Sequence, residues 1–235
     1  MGDRAMVETV RAFNRTVTQR VGALQEDYLA RDRPLAESRV LWEIGERGCE
    51  VRRLRSRLDL DSGYLSRLLR SLEASGLATV VASQSDKRIR TVLLTEAGRR
   101  ERGLLDDRSD ELARSMLSPL SEGQRDHLVA AMAQVQKLLT ASMVEIGAVD
   151  PDHAHARFCM REYFSELDRR FPGGFDPESS MPADADDMRP PAGLFLVATL
   201  HAEPVGCGAL KFHGDGPTEL KLMWVSPAVR GLGVG

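Results

Sequence analysis

The chain has 235 residues, of which 42% are hydrophobic, and a formal net charge of −3. This length allows one large domain or two ordinary ones, and the near-neutral charge does not by itself indicate nucleic-acid binding. Three cysteines lie far apart with no CxxC pair, which argues against a structural zinc site or a disulfide framework and favours a reducing compartment. We find neither a signal-peptide pattern nor an apolar run of membrane-spanning length, and we therefore expect a soluble, cytoplasmic protein.

The opening segment predicts a long amphipathic helix, because its apolar residues recur at spacings of three and four. These residues are Met6, Val10, Phe13, Val17, Val21, Leu24 and Tyr28. The apolar stripe is as narrow as a coiled-coil seam. Such a helix packs either on its own domain or against a second copy, and the sequence leaves both open.

Two shorter helices are predicted next, and a fourth helix begins after Asp61, a suitable N-cap residue. Four leucines of this fourth helix recur at i, i+3, i+4 and i+7 and form one apolar stripe. They are Leu65, Leu68, Leu69 and Leu72. Small polar groups, a tyrosine and two arginines occupy the other faces, and Gly76 supplies a stop. A helix with this distribution fits a DNA groove.

Two β-rich runs, residues 77–82 and 89–94, flank a polar segment with a cationic end. They predict a β-ribbon with a basic tip beside the fourth helix. Together with the third helix, whose four arginines project outward and suit phosphate contacts, this arrangement predicts a winged helix-turn-helix. The helix would enter the major groove and the ribbon an adjacent groove.

Charge is concentrated at this proposed DNA-binding surface. Residues 47–90 contain ten basic and five acidic side chains, a net charge of +5, whereas residues 146–235 contain eight basic and thirteen acidic ones, a net charge of −5. Clustered positive charge is what phosphate attraction requires. An Arg-rich solvated surface explains the same counts equally well.

Candidate DNA contacts come from the exposed faces of the third and fourth helices and from the ribbon. They are Arg53, Ser62, Gly63, Tyr64, Ser66, Arg67, Arg70, Lys87, Arg88 and Arg90.

Two more long helices are predicted after the ribbon. The first begins at the cap residue Thr95 and runs to about Leu117, and the second follows a capping box at residues 121–124. Together with the opening helix they exceed what a winged domain needs for its own core. We therefore expect them to form a homodimer interface that sets two DNA-binding heads about one turn apart on a palindrome.

Residues 1–145 resemble a MarR-type regulator. The resemblance is carried by residues 66–77 (SRLLRSLEASGL), by Asp86-Lys87-Arg88 and by residues 93–98 (LLTEAG). It implies a transcriptional regulator in which Arg88 of the wing enters the minor groove. Asp86 would orient the wing tip or serve as a plain turn residue.

Residues 146–156 lose helical periodicity and are predicted to form a linker or the entry to a strand. Asp152, His153 and His155 are potential metal ligands. Because no fourth ligand accompanies them, a solvated linker is favoured and no metal is expected.

The second half is predicted to form an amphipathic helix (158–171), an acidic, Pro-rich loop, a β-hairpin (194–212) and a third strand (219–225). The chain then ends in Val-Ser-Pro-Ala-Val-Arg-Gly-Leu-Gly-Val-Gly. Glycines let backbone amides approach an anion closely. A strand followed by this run predicts an anion-binding loop.

This second region resembles the first half of a GNAT-type acetyltransferase. The resemblance implies acetyl-CoA as cofactor, held by Val225, Arg230, Gly231, Leu232, Gly233, Val234 and Gly235. It also implies Glu219 as a general base for an amine, although an exposed strand-edge acid fits equally well. The family's next helix and later strands are not in this sequence, so we expect a truncated domain at 157–235 that is inactive as it stands.

The predicted fold class is α+β: a mostly helical winged helix-turn-helix domain (1–145), a linker (146–156) and a truncated α/β acetyltransferase-like domain with an antiparallel hairpin and a central strand (157–235). The predicted function is a dimeric DNA-binding transcriptional regulator with an acetyl-CoA-binding module. One alternative is an N-acetyltransferase that uses the winged domain for recruitment or dimerisation, and another is a sensor of acetyl-CoA or a small effector. Expected partners are double-stranded palindromic DNA, a second copy, and an effector or amine acceptor, with no membrane.

Overall fold

The structure, a computed structural model, describes residues 2–23, 29, 33–82, 89–171, 173–175, 184–214 and 216–235. The chain divides into two compact units, Met1–Leu128 and Val129–Gly235. Within the described residues, no helix is both long enough and apolar enough to cross a membrane.

The first unit alternates helices with short strands. Its elements are α1 (Asp3–Arg20), α2 (Leu35–Ile44), β1 (Cys49–Glu50), α3 (Val51–Leu58), α4 (Ser62–Ala74), β2 (Ala78–Ala82), β3 (Arg90–Leu94), α5 (Glu96–Leu117) and the start of α6 (Glu122–Ala141). The opening helix is shorter than predicted, since α1 ends at Arg20, and the predicted stripe residues Leu24 and Tyr28 lie outside the described residues.

The α4 helix has the predicted limits and the predicted buried face. All four stripe leucines are buried, and the most buried, Leu72, has no exposed surface. The Asp61 carboxylate caps the helix by accepting a hydrogen bond from the Tyr64 amide at 2.8 Å. Gly76 follows the helix with a φ of +68°, a left-handed conformation that glycine adopts without strain. The apolar stripe therefore fixes which face of α4 points to solvent.

The first unit's sheet has the antiparallel order β1-β3-β2. Strand β1, which the sequence analysis did not predict, pairs Cys49 with Val92 and Glu50 with Thr91. The two-strand ribbon β2–β3 was predicted and is confirmed, with Val80 opposite Val92. Its tip, residues 83–88, lies outside the described residues.

Two predicted helix caps after the ribbon are confirmed. The Thr95 hydroxyl accepts a hydrogen bond from the Gly98 amide at 3.0 Å. Ser121 and Gln124 exchange hydrogen bonds at 2.9 and 3.4 Å, as a capping box requires. At Gly98, a Cβ atom would overlap the carbonyl oxygen of Leu77, so only glycine lets α5 start this close to β2.

The second unit contains the end of α6, an antiparallel sheet and a helix packed on that sheet. Its further elements are β4 (Glu145–Val149), α7 (Ala154–Arg170), a 3-10 helix (Ala185–Met188), β5 (Gly193–Leu200), β6 (Glu203–Lys211), β7 (Glu219–Val225) and a 3-10 turn (Pro227–Val229). The strand order is β4-β5-β6-β7. Strand β4 lies where the sequence left linker and strand entry open, and it pairs along β5 from Glu145 to Val149.

The predicted β5–β6 hairpin is confirmed, with a tight turn at His201 and Ala202, both at positive φ. This is the turn geometry that matches the twist of hairpin strands. Strand β7 has the predicted limits. It carries a bulge in which Leu222 and Met223 both lie opposite Gly208 of β6, and Leu222 has a φ of +51°. Such a bulge leaves one residue out of the ladder and bends the strand.

Candidate nucleic-acid interface and anion-binding loop

A basic groove of about 550 Å³ lies between α3, α4 and β3 in the first unit. It is lined by Glu50, Val51, Arg52, Arg55, Ser62, Leu65, Ser66, Ile89 and Arg90. Its three arginines are all exposed, and one carboxylate faces them. We call this the basic groove.

The solvent face of α4 continues from the basic groove. Ser62 and Ser66 line the groove, and Arg70 donates a hydrogen bond from Nε to the Ser66 carbonyl at 3.3 Å. The Arg67 guanidinium carbon lies 5.5 Å from the centre of the Tyr64 ring. Both arginines are exposed. Exposed guanidinium groups on a helix can contact guanine edges in the major groove.

The arginines of α3 divide into two kinds. Arg57 donates to the side chain of Glu43 at 3.2 Å and to its carbonyl at 3.4 Å. Glu43 is only 8% exposed and also accepts a hydrogen bond from Arg39. Removing Arg57 would leave the buried Glu43 charge with Arg39 alone, so Arg57 holds α3 against α2. No described carboxylate forms an ion pair with the arginines of the basic groove.

Helices α1 and α6 each expose a row of apolar side chains. Every residue of α1 and α6 falls short of full burial, and the α1 stripe is 37–58% exposed. The exposed apolar residues are Met6, Val7, Val10, Phe13 and Val17 on α1, and Val129, Met132, Leu138 and Leu139 on α6. Contiguous exposed apolar surface of this kind marks an interaction face.

In the second unit, the glycine loop (residues 230–235) follows the 3-10 turn after β7. Gly231 and Gly233 have φ values of +78° and +79°, which only glycine adopts without strain. Val229 is buried and anchors the start of the loop, while a Cβ atom on Gly233 would meet nothing within 4 Å. The loop therefore combines a buried anchor residue with open space beside Gly233.

The side chain of Arg230 turns back into the unit. It donates one hydrogen bond to Glu166 of α7 at 2.5 Å and another to the Val225 carbonyl at 2.9 Å. Glu166 also accepts from the Trp224 indole at 3.0 Å and pairs with Arg170. Burial acts to raise the pKa of Glu166, but the hydrogen bond from Arg230 and the charges of both arginines outweigh it and lower that pKa.

Glu219 lies at the start of β7 beside a histidine and a lysine. Its carboxylate is 3.3 Å from the His213 ring and 3.3 Å from the Lys221 ammonium. Burial acts to raise the pKa of Glu219, but hydrogen bonds from Lys221 and His213 outweigh it and lower the pKa. A lowered pKa keeps the carboxylate ionised and makes it a weaker proton acceptor.

The three residues weighed as metal ligands have other partners. Asp152 pairs with Arg189 at 2.7 Å, and the His153 ring accepts a hydrogen bond from the His155 amide at 3.2 Å. Among the described residues, no three His, Cys, Asp or Glu side chains are grouped so as to hold a metal ion.

Comparison with known families covers both units. Residues 31–89 match the model of the MarR family, and residues 160–235 match that of the acetyltransferase (GNAT) family. The chain joins a MarR-type segment to a GNAT-type segment.

Solved structures similar to this chain include several transcriptional regulators. A probable transcriptional regulator from Pseudomonas aeruginosa is 24% identical over 55% of this chain and 98% of its own, with a TM-score of 0.46. A MarR-family regulator from Rhodococcus sp. RHA1 is 19% identical over 59% and 97%, with a TM-score of 0.48. FabT from Streptococcus pneumoniae, solved in complex with DNA, is 20% identical over 58% and 95%, with a TM-score of 0.46. No curated protein matches the chain.

Among the predicted DNA contacts of the first unit, Ser62, Ser66 and Arg90 line the basic groove. Gly63, Arg67 and Arg70 are exposed on α4, Tyr64 is half-buried there, and Arg53 is exposed on α3. The predicted wing-tip residues Asp86, Lys87 and Arg88 lie outside the described residues. Arg52 and Arg55 line the basic groove. The sequence analysis grouped them with the outward arginines of the third helix that suit phosphate contacts, but named only Arg53 of that helix as a candidate DNA contact. The sequence pattern places Arg52, Arg53 and Arg55 alike on the outward face of α3, so it could not show which of them line the groove.

In the GNAT-type segment, Val225, Val234 and Gly235 line a cavity of about 190 Å³ on the sheet beside the β7 bulge. The sequence analysis missed Glu166 and Trp224. Glu166 lies 64 residues before Arg230 in an ordinary amphipathic helix, and no local pattern marks it as the partner of the loop arginine.

Proposed function

We propose that this protein is a dimeric, DNA-binding transcriptional regulator whose GNAT-type segment binds acetyl-CoA. The observation that carries the proposal is the position of the basic groove next to the exposed face of α4. Arg67 and Arg70 project from a helix whose opposite face is locked into the core by four leucines. Preorganised cations on a rigid helix are suited to contact DNA without reordering.

The proposed docking divides the contacts into two kinds. Arg67 and Arg70 on α4 would contact base edges in the major groove. Arg52, Arg55 and Arg90 would contact phosphates, which fix the register of the protein without specifying sequence. By the MarR resemblance, Lys87 and Arg88 of the wing would enter the adjacent minor groove. Such a regulator would act in the cytoplasm, where the DNA is.

The proposed dimer uses the exposed apolar rows of α1 and α6. A two-fold dimer presents two α4 helices to half-sites about 34–36 Å apart, so we expect a palindromic operator. Phe13 is 45% exposed in the single chain and lies in the middle of the α1 row. Its burial against a second copy would remove this row from water.

A DNA-binding experiment tests the main proposal. Fluorescence anisotropy with DNA from upstream of the protein's own gene should show affinity that falls steeply with salt. The double variant Arg52→Gln/Arg55→Gln should weaken binding to all sequences alike and reduce the salt slope by about 2. Arg114→Gln, which removes an exposed charge paired with Asp110 on α5, is the matched control and should change neither quantity. An unchanged slope in the double variant would contradict the proposed docking.

Sedimentation equilibrium tests the dimer. Phe13→Asp should shift the chain towards monomer, because it places a charge in the apolar row. Arg15→Asp, on the opposite face of α1, should leave the association constant unchanged. A monomeric wild-type chain at micromolar concentration would refute the dimer.

The residues of the glycine loop fit the phosphates of a coenzyme. Gly231 and Gly233 have left-handed conformations, and within the described residues no backbone carbonyl accepts a hydrogen bond from either amide. A Cβ atom on Gly233 would meet nothing within 4 Å. Acetyl-CoA would supply an acetyl thioester, and Val225 and residues 230–235 would hold it. The predicted general base Glu219 is already paired with His213 and Lys221, which favours coenzyme binding over acetyl transfer.

Acetyl-CoA titration separates the regulator from the alternative N-acetyltransferase. We expect acetyl-CoA to bind without release of free CoA in the presence of an amine acceptor. Thiol release that is lost in Glu219→Gln would instead support the enzyme.

A further inference from the structure

The only cation within the glycine loop itself, Arg230, is already engaged. Glu166 neutralises its guanidinium through a hydrogen bond of 2.5 Å, and the Val225 carbonyl accepts a second one at 2.9 Å. Glu166 is 14% exposed, so its charge depends on nearby donors more than on water. Turning Arg230 towards a phosphate would break two hydrogen bonds, one of them charge-assisted and therefore strong. Arg230 thus braces the loop between β7 and α7.

A second cation, Lys137 of α6, lies beside the same loop in the second unit. A Cβ atom built on Gly231 would lie 3.5 Å from the Lys137 Nζ and 3.9 Å from its Cε. Lys137 is exposed, and within the described parts of the chain its ammonium group has no hydrogen-bond or ion-pair partner. It is therefore free to bind an anion held by the loop amides.

The geometry points to Lys137 as the residue that pairs with the diphosphate of a coenzyme at the glycine loop, with Arg230 as a positioning residue only. The ligand class is an acylated thiol linked to a nucleoside diphosphate. An ammonium on a flexible stem acts as a point charge and follows a phosphate without a fixed fork geometry. This inference rests on the proposed coenzyme binding and assigns its charge recognition to a helix outside the loop.

Calorimetric titration of the full chain with CoA and with pantetheine, which lacks phosphates, tests the assignment. Lys137→Gln should weaken CoA binding about tenfold or more, the loss typical of a hydrogen bond to a charged group. It should leave pantetheine binding unchanged and reduce the salt dependence of CoA binding. Arg157→Gln removes an exposed charge from α7 and is the matched control, which should bind CoA like the wild type.

The double variant Glu166→Gln/Arg230→Gln tests the role of the brace. It removes both charges and leaves two amide groups that can hydrogen-bond to each other, and its thermal unfolding reports whether the unit stays folded. If Arg230 only braces the loop, a folded double variant should bind CoA within about threefold of the wild type, since an uncharged hydrogen bond replaces the ion pair.

The outcomes distinguish a failure of the Lys137 assignment from a failure of the proposed coenzyme binding. CoA affinity that is insensitive to Lys137→Gln overturns this inference alone, and so does a tenfold loss in a folded double variant. A wild-type chain that does not bind CoA overturns the coenzyme proposal itself.

Discussion

The two units carry arginine beside a candidate anion site, but they use it in opposite ways. In the unit that contains the MarR-type segment (the MarR-type unit), Arg67 and Arg70 are exposed on α4, and four leucines on its other face point into the core. In the unit that contains the GNAT-type segment (the GNAT-type unit), Arg230 donates hydrogen bonds to Glu166 and to the Val225 carbonyl. The exposed arginines of α4 leave positive charge available to a partner, whereas the charge of Arg230 is paired and holds the glycine loop in place. Whether an arginine can bind a ligand anion therefore depends on which hydrogen-bond acceptors the fold places beside its guanidinium group.

The same contrast exists within α3. Arg57 is tied to the buried carboxylate of Glu43, whereas Arg52 and Arg55 point into the basic groove. These residues contribute equally to the net charge of +5 over residues 47–90. Only some of that charge can attract phosphate, because a paired charge has little field left at a distance.

The largest expected effect comes from the two cores beneath these surfaces. Phe195 and Leu72 have no exposed surface, and they lie in separate hydrophobic clusters. Phe195→Ala should lower the free energy of unfolding by about 3–5 kcal/mol and Leu72→Ala by about 2–5 kcal/mol, because each leaves a cavity. Hydrogen exchange should locate each loss in the unit that carries the change.

Leu104→Ala is the control for both core variants, since Leu104 is 45% exposed on α5 and its truncation should cost less than about 0.5 kcal/mol. If Leu72→Ala accelerates exchange equally in both units, the units do not unfold separately and the comparison between them fails.

A smaller effect is expected at the face of α4 that we propose contacts the bases. Arg67→Ala should weaken operator binding by about 1–3 kcal/mol and relax preference at one base pair, since one guanidinium contact is removed. A set of single-base operator variants measures the relaxation. The groove variant Arg52→Gln should instead weaken every operator variant equally. A uniform loss for Arg67→Ala would place this residue among the phosphate contacts.

Most of the fold was predictable because its signals are local. The leucine stripe of α4, the caps at Asp61 and Thr95 and the limits of β7 all follow from spacings within a few residues. Strand β1 was missed, because two residues carry no periodicity and become a strand only by pairing with Thr91 and Val92.

The sequence predicts which residues belong to the candidate sites, but not which side chains form hydrogen bonds with each other there. The sequence shows that Arg230 begins a glycine-rich loop, but only the fold brings Glu166 within hydrogen-bond distance of it. Lys137 was missed for the same reason, since it lies in a helix assigned to dimerisation and nearly a hundred residues from Gly231.

The N-cap of α4 gives a third test. Asp61→Ala removes the acceptor of the Tyr64 amide and should lower the free energy of unfolding by about 0.5–2 kcal/mol. Asp61→Asn keeps an acceptor of the same size and should retain most of the stability. Urea unfolding of the three proteins measures the difference. Equal midpoints for wild type and Asp61→Ala would show that the cap does not stabilise α4.

The smallest expected effect is the pH dependence of the brace in the GNAT-type unit. Because the folded pKa of Glu166 is lowered, its contribution to stability is present above the unfolded value of about 4.3 and is lost as pH falls through the folded value. Glu166→Gln cannot titrate, so its urea midpoint should fall less between pH 6 and pH 3 than that of the wild type.

The acid sensitivity should be reduced rather than abolished, since three other described carboxylates of this unit, Asp150, Asp187 and Glu219, also have lowered pKa values. A hydrogen bond from Arg189 lowers the pKa of Asp150, and one from Lys211 lowers that of Asp187. Their protonation continues to destabilise the variant in acid. In the MarR-type unit, Arg67→Gln should leave the pH profile unchanged, because no described carboxylate pairs with that arginine. Identical profiles for Glu166→Gln and the wild type would mean that Arg230 is not held by this carboxylate in solution, and the difference between the two arginines would disappear.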